Sequence, residues 1–438
     1  MSASASRVMT SFAPASAASR PPQPRAASGV RVRYTDGRSR ICAMSGLWNT
    51  NLGYGDTAVA DAMDDAARRL SYAGLFRAVH PFAETAAGEL LDLVAEHAGP
   101  GLERVVFATS GGACVDLAVK VMRLVGAPRS TLVVSLRNSY HGTTLGGSAL
   151  TDQEMAQLAS GADTRHVRLV TVDGVAELDR LMDAVGTRVA GVIVEPVQGT
   201  GTHALGADFL EHLLLARRRY GFLLAADEVA TGFGRTGPMF ASAGWAPDLL
   251  LLSKALTNGA AAGSTLLVTE DVAGAVEERF GGLPWGETQA GTPATCAAIS
   301  AVVRRFREPE VLQAGQRLAR QLDDALTSIA APHGLVLTGR GLFRSVLFNG
   351  VTSVDVMAMV RDAFEAGVRL QPGPNGVQLV PALTMSADDL HQVTEVLQEV
   401  TGAALRRATL PATDAPKRRT DAGRDASAPG AGLALSPA

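Results

Sequence analysis

The chain has 438 residues, 47% hydrophobic and 19% charged, enough to bury one large α/β core or two to three smaller ones. Forty basic against 43 acidic residues leave a net charge of −3, which argues against a nucleic-acid binder acting through bulk positive charge. Three scattered cysteines (Cys42, Cys114, Cys296) offer neither a disulfide framework nor zinc spacing, and no apolar run of eighteen residues is present to span a membrane.

The charge is unevenly placed. Residues 1–35 carry five arginines and no acid, and residues 406–438 are also net basic, so the body between them has a net charge of −11. Both ends are rich in Ala, Ser, Pro and Arg, and they read as a disordered leader over 1–28 and a disordered tail over 406–438. The leader lacks acids, as transit peptides do, but has neither an amphipathic helix nor an apolar stretch, so the expected location is cytoplasmic.

Within the body, short apolar runs at 104–108, 132–136, 168–172, 189–194 and 223–226 have strand length. Helical patterns such as 115–125 and 207–220 lie between them. Strands alternating with helices predict an α/β fold with a mostly parallel sheet, and continuous runs such as VAGVIVEP suit a sheet covered on both faces. Beyond about 305 the pattern becomes a long helix over 309–331, short strands within 334–347, a helix over 354–366, strands within 367–380, and a last helix opened by Ser386 with Asp389 three residues on. The expected domains are a large one over 76–304 and a smaller α+β one built from 29–75 and 305–405.

Five segments carry candidate chemistry. Thr109-Ser110-Gly111-Gly112-Ala113 lies between a strand and a helix, where small residues let backbone N–H groups converge on a phosphate; an ordinary strand-to-helix turn reads the same way. Ser139-Tyr140-His141-Gly142 follows a strand and offers an aromatic face for a flat ligand, or merely a core aromatic beside a satisfied histidine. Glu195-Pro196-Val197-Gln198-Gly199 follows another strand. Asp227 and Glu228 follow the strand LLAA, where a buried carboxylate needs a partner: a protonated ring nitrogen, a helix cap or a metal. The scattered histidines disfavour the metal. Lys254 ends the very apolar run PDLLLLSK; it either snorkels to the surface or is desolvated into a nucleophile. Phosphate cradle, stacking aromatic, carboxylate and lysine together match the needs of pyridoxal 5'-phosphate, each at a strand end where α/β folds place ligands.

From about 32 to 400 the chain resembles the class-III pyridoxal-phosphate aminotransferases of fold type I. The motifs ATSGGACVDLAVKVMR, NSYHGTT, GVIVEPVQG, LLAADEVATGFGRTG, PDLLLLSKALTNG and GETQAGTPATCAA stand in that family's order. The resemblance implies that Ser110, Gly111 and Gly112 hold the phosphate, that Tyr140 stacks on one ring face and Val229 on the other, and that His141 and Glu195 complete the cofactor site. It implies that Asp227 pairs with the ring nitrogen and that Lys254 forms the Schiff base and shuttles the proton. Thr288 matches a threonine that reaches the neighbouring subunit's phosphate, implying a homodimer with shared active sites. Trp48, and with it Thr231, would line the substrate pocket.

The departures bear on substrate. The family's usual glutamate is Ala113 here. The arginine that grips a keto-acid's α-carboxylate falls at Thr338, the glutamate that masks it at Thr200, and the mobile arginine of the ω-type enzymes at Gln371, with Arg369 nearby. Without that bidentate clamp, the expected reaction moves an amino group from a small amine donor to a ketone or aldehyde without an adjacent carboxylate. A natural product or the C-terminus of a daptide-type ribosomal peptide would be such an acceptor. An ordinary ω-amino acid or amine:pyruvate transaminase is the nearest alternative. An aminomutase, a decarboxylase or a non-catalytic cofactor-binding partner follow it.

Overall fold

The computed structural model describes residues 22–152, 160–351 and 353–409, with Val8, Met9, Ser11 and Gln157 besides. Most of the expected leader and the tail from 410 lie outside the described residues. Both expected boundaries move outward where they are described. Residues Pro24–Ser28, assigned to the leader by composition, form a strand, and the last helix, Ala387–Thr409, runs past 406. That helix opens as expected: the Ser386 hydroxyl accepts from the Asp389 N–H at 3.1 Å.

Three sheets are present among the described residues. Strands β1 (Pro24–Ser28), β2 (Arg31–Tyr34) and β3 (Ser39–Cys42) form an antiparallel meander. The central sheet contains β4 (Leu102–Ala108), β5 (Leu132–Leu136), β6 (Val167–Val170), β7 (Val189–Val194), β8 (Leu223–Asp227), β9 (Leu249–Leu252) and β10 (Ser264–Thr269). The C-terminal region adds β11 (Val336–Arg340), β12 (Phe343–Leu347), β13 (Val368–Arg369), β14 (Gln371–Gly373) and β15 (Gly376–Leu379). β13 pairs in parallel with β3, so the two ends of the body share one sheet. The third sheet has the order β11-β12-β15-β14.

The central sheet has the order β4-β10-β9-β8-β7-β5-β6. β10 runs antiparallel to both its neighbours, and the other six strands are parallel. Every residue of β5, β7 and β9 is buried, as a sheet packed on both faces requires. Strand β10 breaks the βα alternation read from the sequence: STLLVT follows the Gly- and Ala-rich turn NGAAAG and returns beside β9 without a crossover helix.

Parallel strands point their C-terminal ends the same way, so the segments after β4, β5, β7, β8 and β9 gather along one edge. The strands are anchored by helices on both faces, including Gly111–Gly126, Ala207–Tyr220 and Pro293–Phe306. No helix among the described residues is long and apolar enough to cross a membrane.

Candidate active site

The strand ends enclose a cavity of about 280 Å³. Ser110, Gly111, Gly112, Tyr140, His141, Glu195, Asp227, Val229, Lys254 and Trp48 all line it. These come from six separate stretches of sequence that the parallel sheet brings together.

The phosphate-cradle candidate is the first turn of helix Gly111–Gly126. Ser110 caps it, its hydroxyl accepting from the Ala113 N–H at 3.2 Å, and the N–H groups of Gly111 and Gly112 precede the first intrahelical bonds. Both glycines are required by packing. A Cβ on Gly111 would stand 3.0 Å from Val229 Cγ1, and one on Gly112 would stand 3.1 Å from Thr144 Cγ2. Gly142 sits at φ +97°, and a Cβ there would meet Gly112 Cα at 2.9 Å. Thr144 fastens the turn from the other side, its hydroxyl donating to Asp116 Oδ1 at 2.8 Å.

Asp227 ends β8 with both carboxylate oxygens engaged. Oδ1 accepts from the Val229 N–H at 3.1 Å, and Oδ2 lies 2.7 Å from His141 Nδ1. His141 Nε2 lies 3.1 Å from Ser135 Oγ, which in turn lies 3.0 Å from Ser139 Oγ. The Ser139 hydroxyl donates to the Leu136 carbonyl. A carbonyl only accepts, so Ser139 gives its single proton there, Ser135 donates to Ser139, and His141 Nε2 must carry a hydrogen for Ser135. Nδ1 faces a carboxylate and carries one too. This arrangement suits an imidazolium facing Asp227. Burial pushes this histidine down, but the Asp227 hydrogen bond and the charges of Asp227 and Glu195 outweigh it, and the net shift is upward.

Glu195, immediately after β7, accepts from the Tyr140 N–H at 3.0 Å and the Gly199 N–H at 2.9 Å. It thereby fixes the backbone of the stacking residue. Burial raises Glu195 to about 7 against the pull of His141 and these two amides. Glu228 points away from the cavity. Its carboxylate accepts from the N–H groups of Ala241 and Ser242 and the hydroxyls of Ser242 and Thr231, which makes it a structural anchor.

Lys254 follows β9 at φ +47°, a left-handed conformation that turns its side chain off the strand. Its Nζ lies 4.9 Å from the Trp48 ring and has no hydrogen-bond or ion-pair partner among the described residues. Desolvation pushes its ammonium down, while Asp227 and Glu195 pull it up. Trp48 itself has φ +66° and packs edge-on to Phe343 at 5.0 Å. Its segment is held by the fully buried Arg235, whose guanidinium donates to Asn51 Oδ1, Ser45 Oγ and the Pro381 carbonyl. With no carboxylate partner among the described residues, burial drops Arg235 to about 9.

Other expected residues stand elsewhere. Thr288 is not among the lining residues, and its carbonyl accepts from the Tyr72 hydroxyl at 3.0 Å. Thr231 is fully buried with its hydroxyl on Glu228, so it is not free to meet a substrate. The Thr338 hydroxyl is taken up by the Gly201 carbonyl at 2.8 Å and by Thr202. Thr200 and the buried Gln371 do not line the cavity either. Arg369 lines a different cavity. Sequence reasoning missed Val115, Gly142, Thr143, Thr144, Ala230 and Ser253, which do line it. Thr143 and Thr144 lay inside the NSYHGTT motif, but their type gave no chemical signal.

A helix N-terminus open to a phosphate, a carboxylate braced by an imidazolium, an aromatic on a fixed backbone and an unpartnered lysine define a pyridoxal-phosphate enzyme of fold type I. The family model for aminotransferase class-III matches residues 15–401, and the chain belongs to that family. It is 29% identical over 415 residues to an omega-aminotransferase of Caulobacter vibrioides, covering 86% of this chain and 92% of that one. It is 31% identical over 376 residues to an acetylornithine aminotransferase of Xylella fastidiosa, covering 83% and 88%. A solved amine transaminase from an uncultivated Pseudomonas species, in its pyridoxal-phosphate-bound form, superposes with a TM-score of 0.85 at 26% identity, covering 91% and 99%. The protein is thus a class-III aminotransferase with pyridoxal 5'-phosphate as its cofactor.

Proposed function

We propose that this aminotransferase delivers the amino group to a ketone or aldehyde that carries no carboxylate beside its carbonyl. One observation carries the reading: among the described residues no arginine lines the cavity, whose charged residues are His141, Glu195, Asp227 and Lys254. The three positions at which the family resemblance expects carboxylate-handling charges hold Thr200, Thr338 and Gln371 instead. An α-keto acid entering this cavity would bring its carboxylate near two buried acids without a guanidinium to balance it.

Pyridoxal phosphate, when bound, supplies the aldehyde that takes up the amino group and a ring that draws electrons from the donor carbon. Gly111 and Gly112 N–H groups would hold its phosphate, and the Tyr140 and Val229 side chains would confine its ring between them. Asp227, held by His141 and the Val229 N–H, would present a carboxylate that favours a proton on the ring nitrogen. Lys254 Nζ, held low by desolvation, would accept the proton leaving the donor carbon as a free amine and return it on the far side of the transferred nitrogen. Trp48 covers Nζ and excludes water from that transfer.

A second surface supports a homodimer. Phe76 and Val79 are large exposed apolar side chains beside a cavity of about 560 Å³ that Leu75 and Trp285 also line, and Thr288 lies close by in sequence. A second copy covering this face would bring its Thr288 toward the neighbouring phosphate cradle. Light scattering of the purified protein tests it, and a monomer would count against it.

The substrate reading is tested with a donor and acceptor panel that includes simple ketones, aldehydes, a peptide ending in an amino-ketone, pyruvate and 2-oxoglutarate. The neutral carbonyl compounds should give the highest kcat/KM. If 2-oxoglutarate and glutamate exchange fastest by a wide margin, the reading fails; a clear lead for pyruvate returns the chain to the ordinary ω-type.

A further inference from the structure

A second cavity, of about 540 Å³, shares a wall with the catalytic one. Trp48 lines the catalytic cavity, whereas Gly46, Asn49 and Thr50 of the same short segment line the second. Arg25 and Arg369 also line it, and no acidic side chain among the described residues does. Neither guanidinium has a hydrogen-bond or ion-pair partner among the described residues. Arg31 and Arg40 of the same sheet, and Arg38 in the turn before β3, are matched by Asp389, Asp36 and Glu365, whereas the exposed Arg33 is unmatched among the described residues, like the exposed Arg25. Arg369 is half-buried on β13, where an unmatched charge is costly.

The polar groups around the two arginines suit an oxyanion. The Tyr54 hydroxyl donates to Cys42 Sγ at 3.5 Å, and burial pushes its phenol up while the charge of Arg369 opposes it, so the hydroxyl stays protonated near that guanidinium. Thr50 is 7% exposed, and its hydroxyl has no partner among the described residues. The strand carrying Arg25 is pinned in place by the bridge between Gly29 and Tyr54, whose two N–H groups donate at 2.9 and 2.6 Å. Forked guanidinium donors with hydroxyl donors beside them recognise carboxylate and phosphate groups.

We propose that this cavity binds a small, doubly charged oxyanion at a site separate from the catalytic cavity and coupled to it through Trp48. The coupling follows from the shared wall. Ser45, Gly46 and Trp48 have φ of 45°, 76° and 66°, with Leu47 between them at φ 161°, a turn of sparsely populated backbone angles that links Gly46 and Thr50 to the indole. An anion drawing Thr50 and Gly46 toward Arg369 therefore moves the indole that lies 4.9 Å from Lys254 Nζ.

Inorganic phosphate and succinate, titrated separately into the cofactor-loaded protein at constant ionic strength, distinguish the two sources of such an anion. Calorimetry reads binding without turnover, so the result stands apart from the aminotransferase reading. At least one of the two should bind saturably, once per chain, and change the tryptophan fluorescence. R25Q and R369Q should each weaken binding at least tenfold, R369K should restore part of it, and all three should keep the cofactor's visible absorbance. W48F should still bind the anion but lose most of the fluorescence change. The proposal is overturned if neither anion saturates, if R25Q and R369Q bind as well as wild type, or if a saturating amine donor displaces the anion competitively.

Discussion

Replacing His141 with asparagine isolates the pair that braces Asp227. The wild-type side chain is buried, 2.7 Å from the carboxylate, and its other nitrogen is fixed by the serine chain. Removing one member of a buried ion pair costs about 3–5 kcal/mol. Asp227 keeps its bond from the Val229 N–H, which places the loss at the lower end, about 3 kcal/mol or roughly a hundredfold in the folding constant. The loss depends on pH because the folded histidine titrates above its ordinary value. Stability from such a group is fully present below about pH 6.5 and fades as pH rises through the raised folded value. A neutral imidazole still donates to Asp227, so about 1 kcal/mol of the gap should remain at high pH. Urea unfolding of the cofactor-free wild type and H141N at pH 6 and pH 9 measures this directly. A gap of about 3 kcal/mol that shrinks toward 1 supports the imidazolium; a gap that is constant or widens with pH refutes it.

Three further outcomes follow from the same geometry. Gly142→Ala puts a methyl group 2.9 Å from Gly112 Cα at a left-handed φ, so cofactor affinity should fall at least tenfold on dialysis while the far-UV spectrum is retained. Glu195 titrates near 7 in the fold, so wild-type stability should decline as pH rises from about 4.5 through 7, where ionisation is disfavoured by burial. E195Q should lack that decline in denaturant titrations over the same range. Trp48→Ala should widen acceptance of bulky amines and slow the proton step, read as a larger isotope effect on kcat with a deuterated donor.

Much of the central sheet was legible because β5, β7 and β9 are buried on both faces and therefore read as continuous apolar runs. β10 was not, since an antiparallel strand inserted without a helix leaves the same local pattern as any other. Lys254 and Asp227 stood out because charge at the end of an apolar strand is costly and demands a reason. The serine chain behind His141 was invisible: Ser135 sits within the strand run LVVSL, and only the fold turns it toward the imidazole. The substrate-side residues were the weakest part of the reading. Whether a threonine or arginine faces a cavity depends on which hydroxyl or carbonyl it meets across the chain, as Thr231 on Glu228 and Thr338 on Gly201 show.

The proposed mechanism needs Lys254 both to hold the cofactor and to move the proton. The most direct measurement is a single-turnover half-reaction with an amine donor alone, followed by the cofactor's visible absorbance, in wild type and Lys254→Ala. The wild type should convert stoichiometrically to the amino form of the cofactor, and the variant should show neither conversion nor a borohydride-fixed adduct with the protein. A variant that keeps full turnover and a borohydride-sensitive adduct would contradict the assignment.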